Sequence, residues 1–258
     1  MQHVTSSSGI TVSFDRYGSG PPLVLVHGSF TTHETNWEFV KPMLAEQFTV
    51  HAIARRGRGE TDATASHGVM DEAADVGAVL KSLDEPAFLL GHSYGAHVAL
   101  AAALEYEEHI EKLILYERPT ADLPKPEELK RLKELARAGQ WDQFASRFFS
   151  DTILVPAEEL EELRNTELWP PIVDDAPASL GDIQALNAYD FNIERVGKLK
   201  IPVTLQYGSE SPPHLFLTKP LSVVLSDAQV VELAGQAHEG MTTAPEQYVA
   251  SVCRFLLN

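Results

Sequence analysis

The chain has 258 residues, 44% hydrophobic and 22% charged, enough for one large α/β domain with an insertion and short for two independent domains. Lys and Arg total 20 against 37 Asp and Glu, a formal charge of -17, which weighs against nucleic acid, anionic membranes or any polyanion as a partner. The single cysteine, Cys253, cannot close an internal disulfide, the polar stretch Met1 to Ser8 lacks the pattern of a signal peptide, and no apolar run nears ~18 residues; a cytoplasmic protein without a membrane span is expected.

Val4 to Tyr17 alternates loosely around Ser6–Gly9 and reads as strand, turn and strand, an antiparallel edge. Leu23 to Val26 is a continuous apolar run, as in a strand buried on both faces. His27, Gly28, Ser29 and Phe30 follow at once. Trp37 to Phe48 is helical by pattern, and Thr49 to Ala54 is the next buried strand. It runs into Arg55, Arg56, Gly57, Arg58 and Gly59. This segment lacks the Gly-Lys-Ser/Thr ending of a phosphate loop, so it is read as a turn held by arginine side chains bonding backbone carbonyls. Asp71 to Leu83 places Ala73, Val76, Val79, Leu80 and Leu83 on one helical face.

The strand Ala87 to Leu90 then meets Gly91-His92-Ser93-Tyr94-Gly95, and the Ala-rich helix Ala96 to Leu104 follows. A bare Gly-x-Ser-x-Gly is common. Between a strand and a helix it is a sharp turn that holds the central serine in a strained conformation and needs small neighbours on both sides. The hydroxyl then stands clear of the sheet beside the unpaired N–H groups of a helix start, which favour developing negative charge. Ser93 is therefore the expected nucleophile.

Lys112 to Tyr116 is a further strand, with Glu117 at its end. From Arg118 to about Lys200 the apolar strand pattern stops. Pro126–Arg137, Trp141–Phe149, Pro156–Asn165 and Ala178–Tyr189 are helix candidates, broken by Pro119, Pro124, Pro170, Pro171 and Pro177. Residues 119–199 are thus read as a helical lid inserted in a core made of 1–118 and 200–258. Leu132, Trp141, Phe144, Phe148, Phe149, Leu154, Leu168 and Trp169 exceed what so small a bundle can bury, and are expected to face the sheet as a wall of an apolar pocket. Ile201 to Tyr207 and Gln229 to Leu233 return to the sheet, and Ala244 to Leu257 closes the chain as a helix. His238 lies in the loop after the last strand, between small residues, from where it can reach back over the sheet edge to Ser93. No histidine pair at helical spacing and no Cys/His cluster marks a metal, and no cofactor is called for.

The residues His27–Phe30, Arg56–Gly59, Gly91–Gly95, the Pro-bounded lid and Gly235–His238 with Ala244 and Pro245 resemble the α/β-hydrolase superfamily over nearly the whole chain. The resemblance implies a mostly parallel eight-stranded sheet flanked by helices, with the lid after the sixth strand. It implies an oxyanion hole from the backbone N–H groups of Ser29 and Tyr94, and His238 as the base acting on Ser93. Within the superfamily the chain is similar to small bacterial esterases and lactonases, some of them described as acyl-homoserine lactonases. The expected activity is hydrolysis of a small ester or lactone through an acyl-enzyme, by a monomer or homodimer.

The triad acid departs from the common pattern. In much of the superfamily it is an Asp three residues after a glycine that ends the seventh strand, and counted from Gly208 that position is Ser211. Glu210 lies one place early, while Glu117, 117 − 93 = 24 residues after Ser93, resembles the glutamate that haloalkane dehalogenases and some lactone hydrolases place there. Both can approach His238; Glu117 is preferred because a Glu directly at a strand end needs no loop rearrangement. A serine at 93 speaks against dehalogenase and epoxide hydrolase chemistry, which use a carboxylate nucleophile. Carbon–carbon bond hydrolysis or hydroxynitrile cleavage on the same triad, and a small-molecule receptor with a hydrolase fold, stay open as alternatives.

Overall fold

The computed structural model of the chain describes residues 1–64, 66–120, 123–216 and 218–258. Eight strands form one sheet in the order β1-β2-β4-β3-β5-β6-β7-β8: β1 Gln2–Thr5, β2 Thr11–Tyr17, β3 Pro22–Val26, β4 Thr49–Ile53, β5 Ala87–His92, β6 Ile110–Tyr116, β7 Val203–Gly208 and β8 Ala228–Leu233. β1 and β2 are antiparallel, β2 pairs antiparallel with β4, and the remaining pairs are parallel. The inner strands β3, β4 and β5 are buried along their whole length. That explains their unbroken apolar sequence, since helices cover both faces.

The strand order reverses around β3. The chain leaves β3 for β4 on one side, then returns to pair β5 on the other. The loops after β3 and β5 therefore diverge from one crevice at the carboxyl ends of the strands, where open parallel sheets bind their ligands.

One face of the sheet packs on α2 (Val69–Lys81) and α3 (Tyr94–Glu105); the other packs on Trp37, on α11 (Pro245–Leu256) and around α1 (Lys41–Leu44). The sequence predicted a continuous helix over Trp37–Phe48. The structure has only α1 in regular form, among turns. Pro42 has no N–H to give to the carbonyl of Glu38, so the helical ladder is interrupted there.

Between β6 and β7 lie α4 (Pro126–Arg137), α5 (Trp141–Arg147), a π-helical turn Phe148–Thr152, α6 (Ala157–Arg164), α7 (Trp169–Ala188) and the short α8 (Ile193–Val196). α4 to α7 share an apolar cluster of their own with Leu132, Phe144, Leu160, Trp169 and Ile183, and the core contributes Phe30 to it. Two expectations fail here. Pro177 does not break α7, which runs through it; the ring is exposed, so the carbonyl it leaves unpaired can turn to water. Leu154 and Leu168 do not face the sheet, being 44% and 45% exposed. The helices α9 (Thr218–Val224) and α10 (Gly240–Thr243) complete the chain; α9 has too short an apolar pattern to stand out in sequence.

Candidate active site

Ser93 sits between β5 and α3 at φ 55°, ψ -124°, in the left-handed half of φ space that non-glycine residues rarely occupy. The residues two places away on either side are glycines for a steric reason. A Cβ at Gly91 would come within 2.7 Å of Ala96 Cα and Ala99 Cβ, and one at Gly95 would fall on the carbonyl oxygens of Val26 and His27. α3 can therefore begin directly against β3 and β5, with Ser93 half-buried at the crevice.

The loop after β3 approaches from the side. A Cβ on Gly28 would stand 3.1 Å from Ser93 Cβ. Gly28 N–H donates to Asn36 Oδ1 at 3.0 Å, and Phe30 N–H to Ser179 Oγ at 2.6 Å. The N–H groups of Ser29, between them, and of Tyr94, the first residue of α3, have no protein partner among the described residues. Asn36, which the sequence did not single out, also accepts from Thr31 Oγ1 at 2.9 Å and faces His92 Nδ1 at 3.0 Å. An asparagine in a polar loop carries no distinguishing signal.

Glu117 follows β6 at φ 46° and is wholly buried. Its Oε2 accepts from His238 Nδ1 at 2.7 Å, and its Oε1 accepts from the N–H of Gly208, the last residue of β7, at 2.7 Å. Glu210 is not brought to the histidine. It is exposed and accepts from Ser209 Oγ at 2.9 Å. The β6 position wins because a side chain leaving the end of an inner strand points into the crevice, whereas Glu210 lies on a turn facing solvent. Ser211 is buried, and its Oγ has no partner among the described residues.

The ring of His238 stacks on Phe216, centroids 5.1 Å apart at 16°, and lies 4.7 Å from His92. Tyr116 OH donates to Ala237 O and receives Gly240 N–H at 3.2 Å, which fixes the loop on both sides of the histidine. Burial pulls the His238 pKa down, but the hydrogen bond and charge of Glu117, with the charge of Glu239, outweigh it, and the net shift is upward. Glu239 itself is pushed up, by burial and then by Glu117 against the opposing pull of His238. His92 faces two acceptors, Asn36 Oδ1 and His238 O, each at 3.0 Å. Burial, then the charge of His238, holds His92 well below the usual histidine pKa, so its neutral ring donates to one acceptor at a time.

Ser29, Ser93, Tyr94 and His238 line one cavity, walled by Phe148, Phe149, Ile153, Ile183 and Leu186 from the helices between β6 and β7. Ser93 Oγ has no hydrogen-bond partner among the described residues, and such bonds commonly tighten only in the substrate complex. The open space is about 40 Å³, room for a few waters. A larger groove of about 130 Å³ adjoins it at Ser29, Phe30, Phe149 and Glu239. Thr152 is the one polar side chain that this helical segment places in the cavity wall among the described residues, and its buried Oγ1 has no partner there.

The arginine turn differs from its sequence reading. Arg55 does donate to Gly28 O at 2.9 Å, but the strong partners are carboxylates: Glu72 and Asp182 for Arg55, Asp75 for Arg56, and Asp175 and Asp182 for Arg58. Three groups of described residues bring metal-ligating atoms within 4.8 Å of one another: His92/His238/Glu239, Asp15/His33/Glu34 and His67/Glu72/Asp182. In the first, both ring nitrogens of His92 face oxygen atoms of the protein at 3.0 Å. In the last, Arg55 and Arg58 already neutralise the carboxylates, and their charge opposes a cation.

A sheet of this order with a serine on a strained strand-to-helix turn defines an α/β hydrolase. The chain belongs to the alpha/beta hydrolase family, whose profile matches residues 23–251. It is similar to a pimeloyl-[acyl-carrier protein] methyl ester esterase of Aeromonas hydrophila, 24% identical over 266 residues that cover 96% of this chain and 100% of that one. An α/β hydrolase of Sphaerobacter thermophilus superposes with a TM-score of 0.84 at 29% identity, covering 98% of this chain and 99% of the other. A match to an uncharacterized protein of Mycobacterium tuberculosis is 35% identical over 109 residues, 42% of this chain and only 32% of that longer protein. Among the described residues no helix is long and apolar enough to cross a membrane.

Proposed function

We propose that the protein is a serine hydrolase of small carboxylic esters, lactones included, acting through an acyl-enzyme. The observation that carries this reading is the 2.7 Å contact of His238 Nδ1 with Glu117, which orients the other ring nitrogen toward the cavity that Ser93 lines. In this mechanism Ser93 Oγ attacks the carbonyl carbon as His238 Nε2 takes its proton. The oxyanion is held by Ser29 and Tyr94 N–H, and Glu117 stabilises the imidazolium. His238 then protonates the leaving oxygen, and a water activated by the same histidine releases the acid.

Residues 119–199 act as the cap. The aromatic and aliphatic wall suits an uncharged acyl group, and with open space of about 40 Å³ beside the serine the cap shifts to seat one. The test is hydrolysis of a panel of p-nitrophenyl esters and acyl-homoserine lactones by wild type and Ser93→Ala. Turnover that vanishes with Ser93→Ala is expected, and the ester-to-lactone ratio defines the substrate. A Ser93→Ala protein that hydrolyses the panel at the wild-type rate overturns the reading.

A further inference from the structure

α7 carries Asp175, Ser179 and Asp182, spaced i, i+4 and i+7, on one face. All three are buried, and Ser179 and Asp182 expose no surface. Their partners lie across the seam, in the core. Arg58 grips both oxygens of Asp175 at 2.8 Å and Asp182 Oδ2 at 2.8 Å, and Arg55 grips Asp182 Oδ1. Ser29 Oγ donates to Asp182 Oδ2 at 2.9 Å, and Phe30 N–H to Ser179 Oγ at 2.6 Å. Arg55 continues inward. It donates to Gly28 O at 2.9 Å, lies 4.4 Å over the ring of Tyr94, and pairs with Glu72, which accepts from Tyr94 OH at 2.9 Å.

The face of α7 thus reaches both residues that line the cavity with Ser93 and whose N–H groups have no protein partner among the described residues: Ser29 directly, Tyr94 through Arg55. Apolar packing would join helix and core with less desolvation than three buried carboxylates facing two arginines. A charged seam differs from an apolar one in two respects. It fixes geometry through directional bonds, and its groups are rehydrated when the two sides part, which lowers the cost of opening.

We propose that α7 completes the oxyanion hole: Asp182 and Ser179 are positioning residues that set the Ser29 N–H and steady Tyr94, so the site stabilises a transition state only while the cap is seated. The cap movement that admits an ester therefore also takes the oxyanion hole apart, and its return rebuilds it around the substrate. This rests on the hydrolase reading above.

The test uses the full chain with Ser29→Ala, Ser179→Ala and their double variant. These remove the side-chain links but leave the buried charges and both N–H groups in place. Asp182→Asn is added, with a melting curve beside it. The readouts are kcat and KM on a p-nitrophenyl ester, and inhibition by an alkyl trifluoromethyl ketone, which forms a tetrahedral oxyanion adduct, against the matching alkyl methyl ketone. Each single serine variant is expected to lose about 10-fold in kcat, with KM moved less than about 3-fold, and the double variant about 100-fold, approaching the loss of an oxyanion donor. Affinity for the trifluoromethyl ketone falls in parallel and that for the methyl ketone holds. Wild-type kcat in the serine variants, or equal losses for the two ketones, overturns the proposal. Ser93→Ala separates the layers. If it is inactive while the serine variants keep wild-type kcat, only the role of α7 fails; if it is active, both readings fail.

Discussion

Replacing Glu117 by Gln removes one charge and keeps the shape, and the surrounding hydrogen bonds dictate the consequence. Gly208 N–H donates to Oε1 at 2.7 Å, so the glutamine carbonyl stays on Gly208 and its NH₂ turns to His238 Nδ1. That nitrogen must then accept, and the ring proton moves to Nε2, where the base has to be free. The lost charge adds to this. With charge centres about 4 Å apart and an effective dielectric of about 20, the imidazolium formed during attack loses roughly 4 kcal/mol of attraction, or about 10³-fold in rate. The assay is steady-state hydrolysis of p-nitrophenyl butyrate beside Glu210→Gln, with folding checked by circular dichroism. Glu210 is exposed and away from the ring, so its variant keeps wild-type kcat. A Glu117→Gln protein that retains more than about a tenth of wild-type kcat while folded refutes the reasoning, and so does a larger loss in Glu210→Gln.

The same geometry predicts further outcomes. His238 works as the neutral ring and its pKa is raised, so the acid limb of kcat/KM lies above pH 6.5 and shifts downward in Glu117→Gln; a limb at or below 6.5 in wild type contradicts the assignment. His67, between Glu72 and Asp182, is pushed up to about 9, burial opposing and the two carboxylates prevailing. Its stabilising contribution is full below pH 6.5 and lost toward pH 9. Burial holds His27, His92 and His97 well below their usual range and brings His51 to about 4, so these lose stability as pH falls below 6.5. The melting temperature should therefore peak near pH 6.5, and His67→Gln should flatten the alkaline side alone; an unchanged alkaline slope counts against the pairing. Gly95→Ala forces a Cβ onto the Val26 and His27 carbonyl oxygens, and costs about 3 kcal/mol or more; a wild-type melting temperature would mean that the elbow has slack. Thr152→Val removes a hydroxyl from the cavity wall, lowering kcat/KM about 3- to 10-fold for acyl groups bearing an amide and leaving plain alkyl esters unchanged; equal effects on both deny Thr152 a substrate contact.

The elements that sequence located well are those whose burial is set by one period. β3, β4 and β5 are apolar without interruption and buried along their length, and α4 begins and ends where its pattern and Pro126 place it. Where two local signals compete, pattern alone misleads. Trp37–Phe48 has a helical period but contains Pro42, and α7 contains Pro177 yet continues. Both prolines are exposed, but the first lies in a short segment with only one regular turn, while the second sits within a 20-residue helix anchored across the seam by Asp175, Ser179 and Asp182.

The site divides along the same line. Ser93 and His238 stand beside sharp chain reversals whose small residues are visible locally, and Glu117 is found by counting to a strand end. The groups that hold them in place are not local. Asn36, Asp175, Ser179 and Asp182 meet residues up to 153 positions away, and a buried carboxylate in a helix reads as an ordinary solvated one until its arginine is found. A clue was nonetheless present in the chemistry. Arg55 and Arg58 follow a strand buried on both faces, and a guanidinium that cannot reach water must find an anion. A buried polar stripe at i, i+4 and i+7 on α7 is an anion source of the right shape, so the two oddities account for each other. An unpaired arginine cluster at the end of a buried strand is therefore reason to search distant helices for a carboxylate stripe before reading it as a turn.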